Sequence, residues 1–333
     1  MADTGTKQAA AGPDLSDAFR SPVARPPSAW QKNFDVVFKY LAHAFGAGVV
    51  LLLADIVFEV MRRAAPAMAD YGLGFLTTST WDANRAQFGI LAEILGTLYT
   101  SILALGMGGF LGITVALVLS QGFVPRRVEL VMKNVIELLA AIPSVVYGLW
   151  GIFVLVPAVR GPAGWLNEHF GSIPFFSTRL SGPGILPASL VLSIMILPTV
   201  TAVSREAMAA VPKRLAAAAY GLGATRWEVI FKVTLPTAVG GIFGALVLGF
   251  GRALGETMAL AMLVGNANVF GLSLFSPGNT LAALLANHFP EAGKVEVGAL
   301  MYATVVLMLI TLLVNALGSF LMLRTTRELK GLG

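Results

Sequence analysis

From residue 36 onward the chain alternates long apolar runs with short polar stretches. The runs cover approximately 36–60, 90–120, 130–159, 185–203, 238–265 and 297–323. Each reaches or exceeds the roughly 20 residues that a helix needs to cross a bilayer. The pattern predicts an all-α polytopic membrane protein with six transmembrane helices, and six crossings return both termini to one side. Ahead of the first run, residues 1–35 form a tail whose first 28 or so are rich in Ala, Pro, Ser, Gly and charge without apolar periodicity, and these are expected to be disordered. No cleavable signal is predicted, because such a peptide places a short apolar core close to its start, whereas here the first apolar run begins near Val36 and is long enough to span.

The polar stretch 204–236 between the fourth and fifth runs carries helix signals of its own. Pro212 suits a helix's first turn, residues 215–220 are alanine-rich, and Gly221 and Gly223 can close the helix. Thr225 and Glu228 have capping-box spacing for a second short helix over 226–232, and Pro236 fits the first turn of the next membrane helix. Pro143 and Pro198 predict kinks in the third and fourth spans. The remaining loops, 61–89, 160–184 and 266–296, exceed what a turn needs. They either receive a soluble partner or fold over the mouth of a path, or else pack on themselves and the lipid interface through residues such as Trp81 and Trp165.

Composition confirms the class. Hydrophobic residues make up 56% of the 333-residue chain and charged residues 12%, against about 25% charged in soluble domains. The absence of cysteine excludes disulfides, thiol catalysis and cysteine-ligated metals. The net charge of +5 is loop bias rather than a nucleic-acid footprint, since the basic residues flank spans instead of forming one patch; the expected partner is membrane lipid, with no nucleic acid. Lys7, Arg20, Arg25, Lys32 and Lys39 in and near the tail, Arg126, Arg127 and Lys133, then Arg205, Lys213, Arg214, Arg226 and Lys232, and finally Arg324, Arg327 and Lys330 all fall on one side. The opposite loops carry only Arg62, Arg63, Arg85, Arg160, Arg179 and Lys294. By the positive-inside rule both termini and the stretch 204–236 face the cytoplasm.

The sharpest chemistry within the spans is GFGRALGETMA over 249–259. A helix would place Arg252 and Glu256 four residues apart on one face, close enough to pair. An unpaired charge at membrane depth costs on the order of 3 kcal/mol, so the two either line a polar substrate path or lock helices as a structural ion pair. Gly108/Gly112, Gly240/Gly244 and Gly251/Gly255 offer small faces for close helix packing. Asp55, Glu59, Glu93 and Glu137 are weaker candidates, most of them near a predicted span end and expected to reach the interface. No phosphate loop and no HExxH occurs, and His43, His169 and His288 are isolated, so neither an enzyme site nor a metal site is predicted.

Several strings carry a family resemblance. The spacing of Ala217, Ala218 and Ala219, then Gly223, Val233 and Leu235-Pro236, resembles the cytoplasmic EAA loop of ABC importer permeases, a pair of short helices held in a cleft of the ATPase subunit. Ala217 stands where the family usually has glutamate, so Glu206 or Glu228 is the substitute for that ionic contact. The plainer alternative is an amphipathic connector resting on the lipid surface. Together with ILGTLYTSILAL from Ile94, ELLAAIPSVVYGLWG from Glu137 and GRALGETMA from Gly251, the loop resembles the PstC-type permeases of phosphate ABC importers over approximately 88–323. The resemblance implies the type I ABC importer architecture: a first transmembrane helix at 36–60, an outward loop at 61–89, a permease core at 90–323 with its coupling loop at 204–236, and a cytoplasmic C-terminus at 324–333. It implies a substrate path through Arg252 and Glu256, and ATPase coupling through Ala217, Ala218, Ala219, Gly223, Glu228, Leu235 and Pro236. It further implies a second, PstA-type permease, PstB-type ATPase subunits that use ATP, an extracytoplasmic phosphate-binding protein, and no cofactor bound by this chain. Two rival readings are a secondary anion transporter, in which the Arg/Glu pair binds an anion or relays protons, and an ABC permease for sulfate or molybdate.

The topology has a direct test in this cysteine-free chain. Single cysteines introduced by Lys213→Cys and Arg226→Cys should react with an impermeant maleimide only from the cytoplasmic side, and labelling of either from outside would invert the assigned orientation.

Overall fold

The computed structural model describes residues 28–330. The expected unstructured tail therefore lies outside the described residues as far as 27. From Ala29 the chain is already helical, so residues 29–35 belong to the first helix, α1 (Ala29–Tyr71), and not to a disordered tail. That helix also runs past the expected span end at 60, because the residues that follow, Met61-Arg-Arg-Ala-Ala, are good helix formers even where hydropathy falls. Contacts divide the chain into two units, Met1–Glu59 and Val60–Gly333.

In the second unit, α2 (Gly74–Thr77) and a hairpin of β1 (Trp81–Asp82) and β2 (Gln87–Phe88) precede α3 (Leu91–Ser120). The chain then forms α4 (Arg126–Ala141), α5 (Ser144–Trp150), a π-turn at Gly151–Leu155 and α6 (Val156–Phe170). After α7 (Ile185–Ala209) come α8 (Lys213–Gly221), α9 (Arg226–Val229), a second π-turn at Ile230–Thr234 and α10 (Leu235–Leu254). The last elements are α11 (Met258–Leu263), α12 (Leu281–His288) and α13 (Lys294–Lys330). Among the described residues six helices are long and apolar enough to cross a membrane: Trp30–Tyr71, Leu91–Ser120, Ser144–Phe170, Ile185–Ala209, Arg226–Leu254 and Lys294–Met322. The predicted number of spans holds.

The third span differs from expectation. A single span over 130–159 with a kink at Pro143 was expected, but the interruption is a full break: α4 ends at Ala141 and Ile142 is extended (φ −68°, ψ 127°), the conformation that the ring of Pro143 imposes on the residue before it. The crossing helix starts only at Ser144. α4 is amphipathic and none of its residues is buried, with Arg126, Arg127, Glu129, Lys133 and Glu137 breaking its apolar pattern at nearly every turn. Glu129 accepts a hydrogen bond from Lys133, which holds its carboxyl below the usual glutamate range. Pro198, by contrast, ends nothing: it is buried inside a continuous α7.

α7 is the most buried span and packs against both α3 and α10. Glycines set the spacing. A Cβ on Gly108 would stand 2.5 Å from the Ser193 carbonyl oxygen, one on Gly112 2.9 Å from Val200, and one on Gly249 of α10 2.8 Å from the other methyl of Val200. Lipid tails are as apolar as these side chains, so close van der Waals contact rather than exclusion from water holds such helices together. Thr201 adds a hydrogen bond across the same seam, its hydroxyl donating to the Gly112 carbonyl at 3.2 Å. Leu192, Met195 and Ile196 carry the packing from this seam to Leu260 and Leu263 of α11.

The segment 61–89 folds onto the start of α13. Phe75 stacks on Tyr302 at 4.4 Å, the Tyr302 hydroxyl donates to the Gly72 carbonyl at 3.1 Å, and Trp81 Nε1 donates to Glu296 Oε1 at 3.0 Å. The loop therefore packs on α13 of its own chain. The segment 264–280 likewise serves α7, whose N-terminal amides lack helical partners. Gly184, Ile185 and Leu186 donate to the carbonyls of Leu263, Ser276 and Leu274.

Gly108→Ala should cost about 1–3 kcal/mol of stability through overpacking against backbone. Gly106→Ala, two residues away where an added Cβ meets nothing within 4 Å, should be neutral. Thermal unfolding of the two variants in detergent checks the difference, and equal midpoints would refute the glycine seam.

Candidate functional site

The stretch 204–236 begins as the last turn of α7 and then forms two short helices, as its sequence signals predict. α8 ends in a Schellman arrangement: Ala224 N–H donates to the Ala219 carbonyl and Gly223 N–H to that of Tyr220, with Gly223 at φ +85°, a left-handed conformation that glycine adopts without penalty. Two residues on, the Thr225–Glu228 capping box is complete, with Thr225 N donating to Glu228 Oε2 at 3.0 Å and Glu228 N donating to Thr225 Oγ1 at 3.4 Å. Lys232 occupies the other Glu228 oxygen at 3.1 Å.

The connection to the membrane helix corrects an expectation. Pro236 does not open a new helix, because Arg226–Leu254 is helical throughout. The π-turn at Ile230–Thr234 sits just before it, and the wider turn relieves the clash between a proline ring and the carbonyl four residues back. Leu235 and Pro236 are therefore interior to one rod. Over the 16 residues from Pro236 to Arg252, that rod spans about 24 Å.

A clamp that the sequence did not suggest fixes α9 to the end of α3. Arg226 donates to the Gln121 carbonyl, its guanidinium lies 3.9 Å from the centre of the Phe123 ring, and Trp227 packs on that ring at 5.2 Å. What stays outward is apolar: Leu222 is 90% exposed, with Tyr220, Trp227 and Phe231 more than half exposed or close to it. Ala217 and Ala218 are exposed and Ala219 half-buried.

At the far end of the rod, Arg252 and Glu256 do not pair. Helix α10 stops at Leu254 with Gly255 as its cap, so the register that would stack residue 256 over residue 252 is lost before Glu256 is reached. Arg252 instead lines an open recess of about 380 Å³ with Leu248, Gly251, Thr199 of α7, and Thr311 and Asn315 of α13. No carboxylate is among its lining residues, and Thr199, Thr311 and Asn315 bring two hydroxyls and an amide to the same wall. Glu256 stands half-buried in the break between α10 and α11. Among the described residues no group of three or more His, Cys, Asp or Glu could hold a metal ion.

Glu93 was expected to reach the interface and does not. It is fully buried, and neither carboxylate oxygen has a hydrogen-bond partner. Its neighbour Asn279 donates one amide N–H to Asn268 Oδ1 and accepts from Thr280 N–H. Nearby, Thr97 accepts from Leu281 N–H at 2.9 Å, so the first turn of α12 is tied to α3. Only the segment 264–280 folded back on α3 creates this environment, and no local sequence signal marks it.

The model of the family described as "Binding-protein-dependent transport system inner membrane component" matches residues 108–329. The phosphate transport system permease protein PstC of Pasteurella multocida is 38% identical over 301 residues, covering 88% of this chain and 93% of that protein. PstC of Haemophilus influenzae is 38% identical over 308 residues, with 90% and 96% covered, and a probable PstC of Methanocaldococcus jannaschii is 36% identical with 83% and 90% covered. Solved structures share the fold at low identity. A chain of a bacterial alginate ABC transporter, in complex with an alginate-bound periplasmic protein, aligns with a TM-score of 0.60 at 17% identity over 88% of this chain and 97% of that one. A chain of the inward-facing MetNI methionine ABC transporter aligns at 0.54 and 16% over 71% and 95%. With six spanning helices, a rigid loop-to-span rod and these matches along most of its length, the chain belongs to the binding-protein-dependent transport system inner membrane components and, within them, to the PstC group of phosphate transport system permeases.

Proposed function

We propose that this chain forms half of the path by which inorganic phosphate enters the cell, beside a PstA-type second permease, above PstB-type subunits that spend ATP, and below an extracytoplasmic phosphate-binding protein. The chain is a multi-pass inner-membrane permease, and the ATPase of such an importer is a separate subunit. In this reading both termini and 204–236 are cytoplasmic, the core is 90–323 preceded by the first span and the outward segment 61–89, and ATP is handled by the partner alone.

The single observation that carries the substrate assignment is Arg252 in the wall of an open recess that it shares with Thr199, Thr311 and Asn315 and that has no carboxylate among its lining residues. An arginine at membrane depth is kept only where it faces water, protein or a passing ion. Its planar fork of N–H donors matches a tetrahedral oxyanion, and the hydroxyls and the amide at its side offer further polar contacts. Conduction also requires that binding be weak enough to reverse. Glu256, in the break that follows α10, supplies the opposing charge that keeps the anion's stay short. The relatives that match most of the chain are phosphate permeases, which narrows the oxyanion to phosphate.

Coupling uses the other end of the same rod. Exposed Leu222 and Tyr220 on α8, with Ala217, Ala218 and Ala219 behind them, form the apolar surface that enters the ATPase cleft. Glu228 holds the second helix in shape through its cap and Leu235-Pro236 joins that helix to the span. Both Glu228 oxygens are taken, whereas Glu206 is exposed, so Glu206 supplies the ionic contact that Ala217 lacks. ATPase motion applied to α9 then moves α10 and Arg252 as one body.

Two outcomes follow in reconstituted vesicles. Arg252→Gln should assemble and retain its ATPase yet lose phosphate uptake by at least about tenfold, since a charge-assisted contact is worth roughly 1.5–3 kcal/mol. Glu256→Gln should lower both the maximal rate and the half-saturating phosphate concentration by slowing release. Wild-type uptake in Arg252→Gln would remove Arg252 from the path.

Gly223→Val should leave the protein in the membrane but uncouple it, because a β-branched residue at φ +85° is strained. The expected signature is basal ATP hydrolysis without phosphate accumulation, and full transport by this variant would show that the bend has no coupling role.

A further inference from the structure

A second recess lies well apart in sequence from the substrate path, where the end of α1 meets the start of α13. It measures about 700 Å³ and its rim carries Arg62, Arg63 and Lys294, with Asp70 as the one carboxylate. Its floor is apolar, formed by Pro66 and Ala67 of α1 and by Val295, Val297 and Gly298 of α13. The two elements meet tightly there: a Cβ on Gly298 would lie 3.6 Å from that of Ala67. We infer that this recess binds the phosphate group of an anionic phospholipid, with the cations on the phosphodiester and the apolar floor under the glycerol and the first methylenes.

Depth supports the assignment. The apolar run 36–60 is long enough to cross the hydrocarbon once, so Arg62 and Arg63, which follow it directly, stand at headgroup level. Lys294 opens the last span and stands at the same boundary, so two unrelated span ends deliver three cations to one recess. Each guanidinium has five N–H donors, more than one acceptor uses, so engagement with a neighbour still leaves donors for an oxyanion. Size supports it too. A volume of about 700 Å³ falls in the range of sites for organic molecules, and an apolar floor offers a bare, strongly hydrated phosphate ion nothing. Free inorganic phosphate shares the recognition chemistry and is separated by the test.

The assembled importer, purified in mild detergent from membranes containing phosphatidylglycerol, should retain that lipid by mass spectrometry. Each cation near a bilayer surface strengthens anionic-lipid binding roughly fivefold, so the double change Arg62→Gln with Lys294→Gln should lower retention by about 25-fold. The charge-keeping double change Arg62→Lys with Lys294→Arg should retain the lipid. A photoactivatable phosphatidylglycerol in nanodiscs of the unmodified importer should attach to peptides spanning 62–71 or 294–298, a measurement that does not depend on how any variant folds. In phosphatidylcholine nanodiscs, radiolabelled inorganic phosphate should show no binding that the neutral double variant removes; if it does, free phosphate is the occupant instead. Equal lipid retention in the unmodified and neutral forms, or attachment only outside those two peptides, overturns the site.

Discussion

The close approach of α7 to α3 and α10 is the constraint on which the rest of the molecule depends. A lipid solvent gives no hydrophobic reward for bringing apolar helices together, so contact distance does the sorting. Gly108 and Gly112 on one side and Gly249 on the other let Ser193 and Val200 of α7 sit against bare backbone. Once α7 is held on both flanks, its unsatisfied N-terminal amides determine where the segment 264–280 lies. That segment in turn covers Glu93 and ties α12 to α3 through Thr97. Removing the glycines would therefore disturb more than one seam.

The polar stretch 204–236 has a different logic. It stands outside the packed core and is held by hydrogen bonds at its ends: a Schellman turn at Gly223, a capping box at Thr225, and a cationic clamp from Arg226 onto the end of α3. These devices leave the apolar side chains of Leu222 and Tyr220 outward while keeping the backbone in one conformation. Rigidity passes into the membrane because α9, the π-turn and α10 form one rod ending next to Arg252. In the proposed function, force at one end and electrostatics at the other share this single element.

Buried or intramembrane charge is costly, and the chain handles it in separate ways. Arg252 lines an open recess that has no carboxylate among its lining residues. Glu93 is enclosed with no hydrogen-bond partner for either oxygen. Arg62, Arg63 and Lys294 stand near span ends and line one open recess.

Features that depend on a few consecutive residues were legible in the sequence itself. The count of spans follows from runs of apolar residues matched to bilayer thickness, and the bend at Gly223 and the cap at Thr225 follow from hydrogen bonds closed within five residues. The tertiary structure decided what depends on partners far along the chain. Pro143 splits the third span by holding Ile142 extended, and the charged turns of α4 before it were concealed by hydropathy averaged over 130–159. Continuity through Pro236 required a π-turn that no propensity signals. The Arg252–Glu256 pair failed because helix α10 stops at Gly255, and spacing of four residues implies contact only while the helix lasts. Glu93 and Arg226 take their surroundings from residues 186 and 105 positions away, Asn279 and Gln121, so only the folded chain could show one buried and the other clamped.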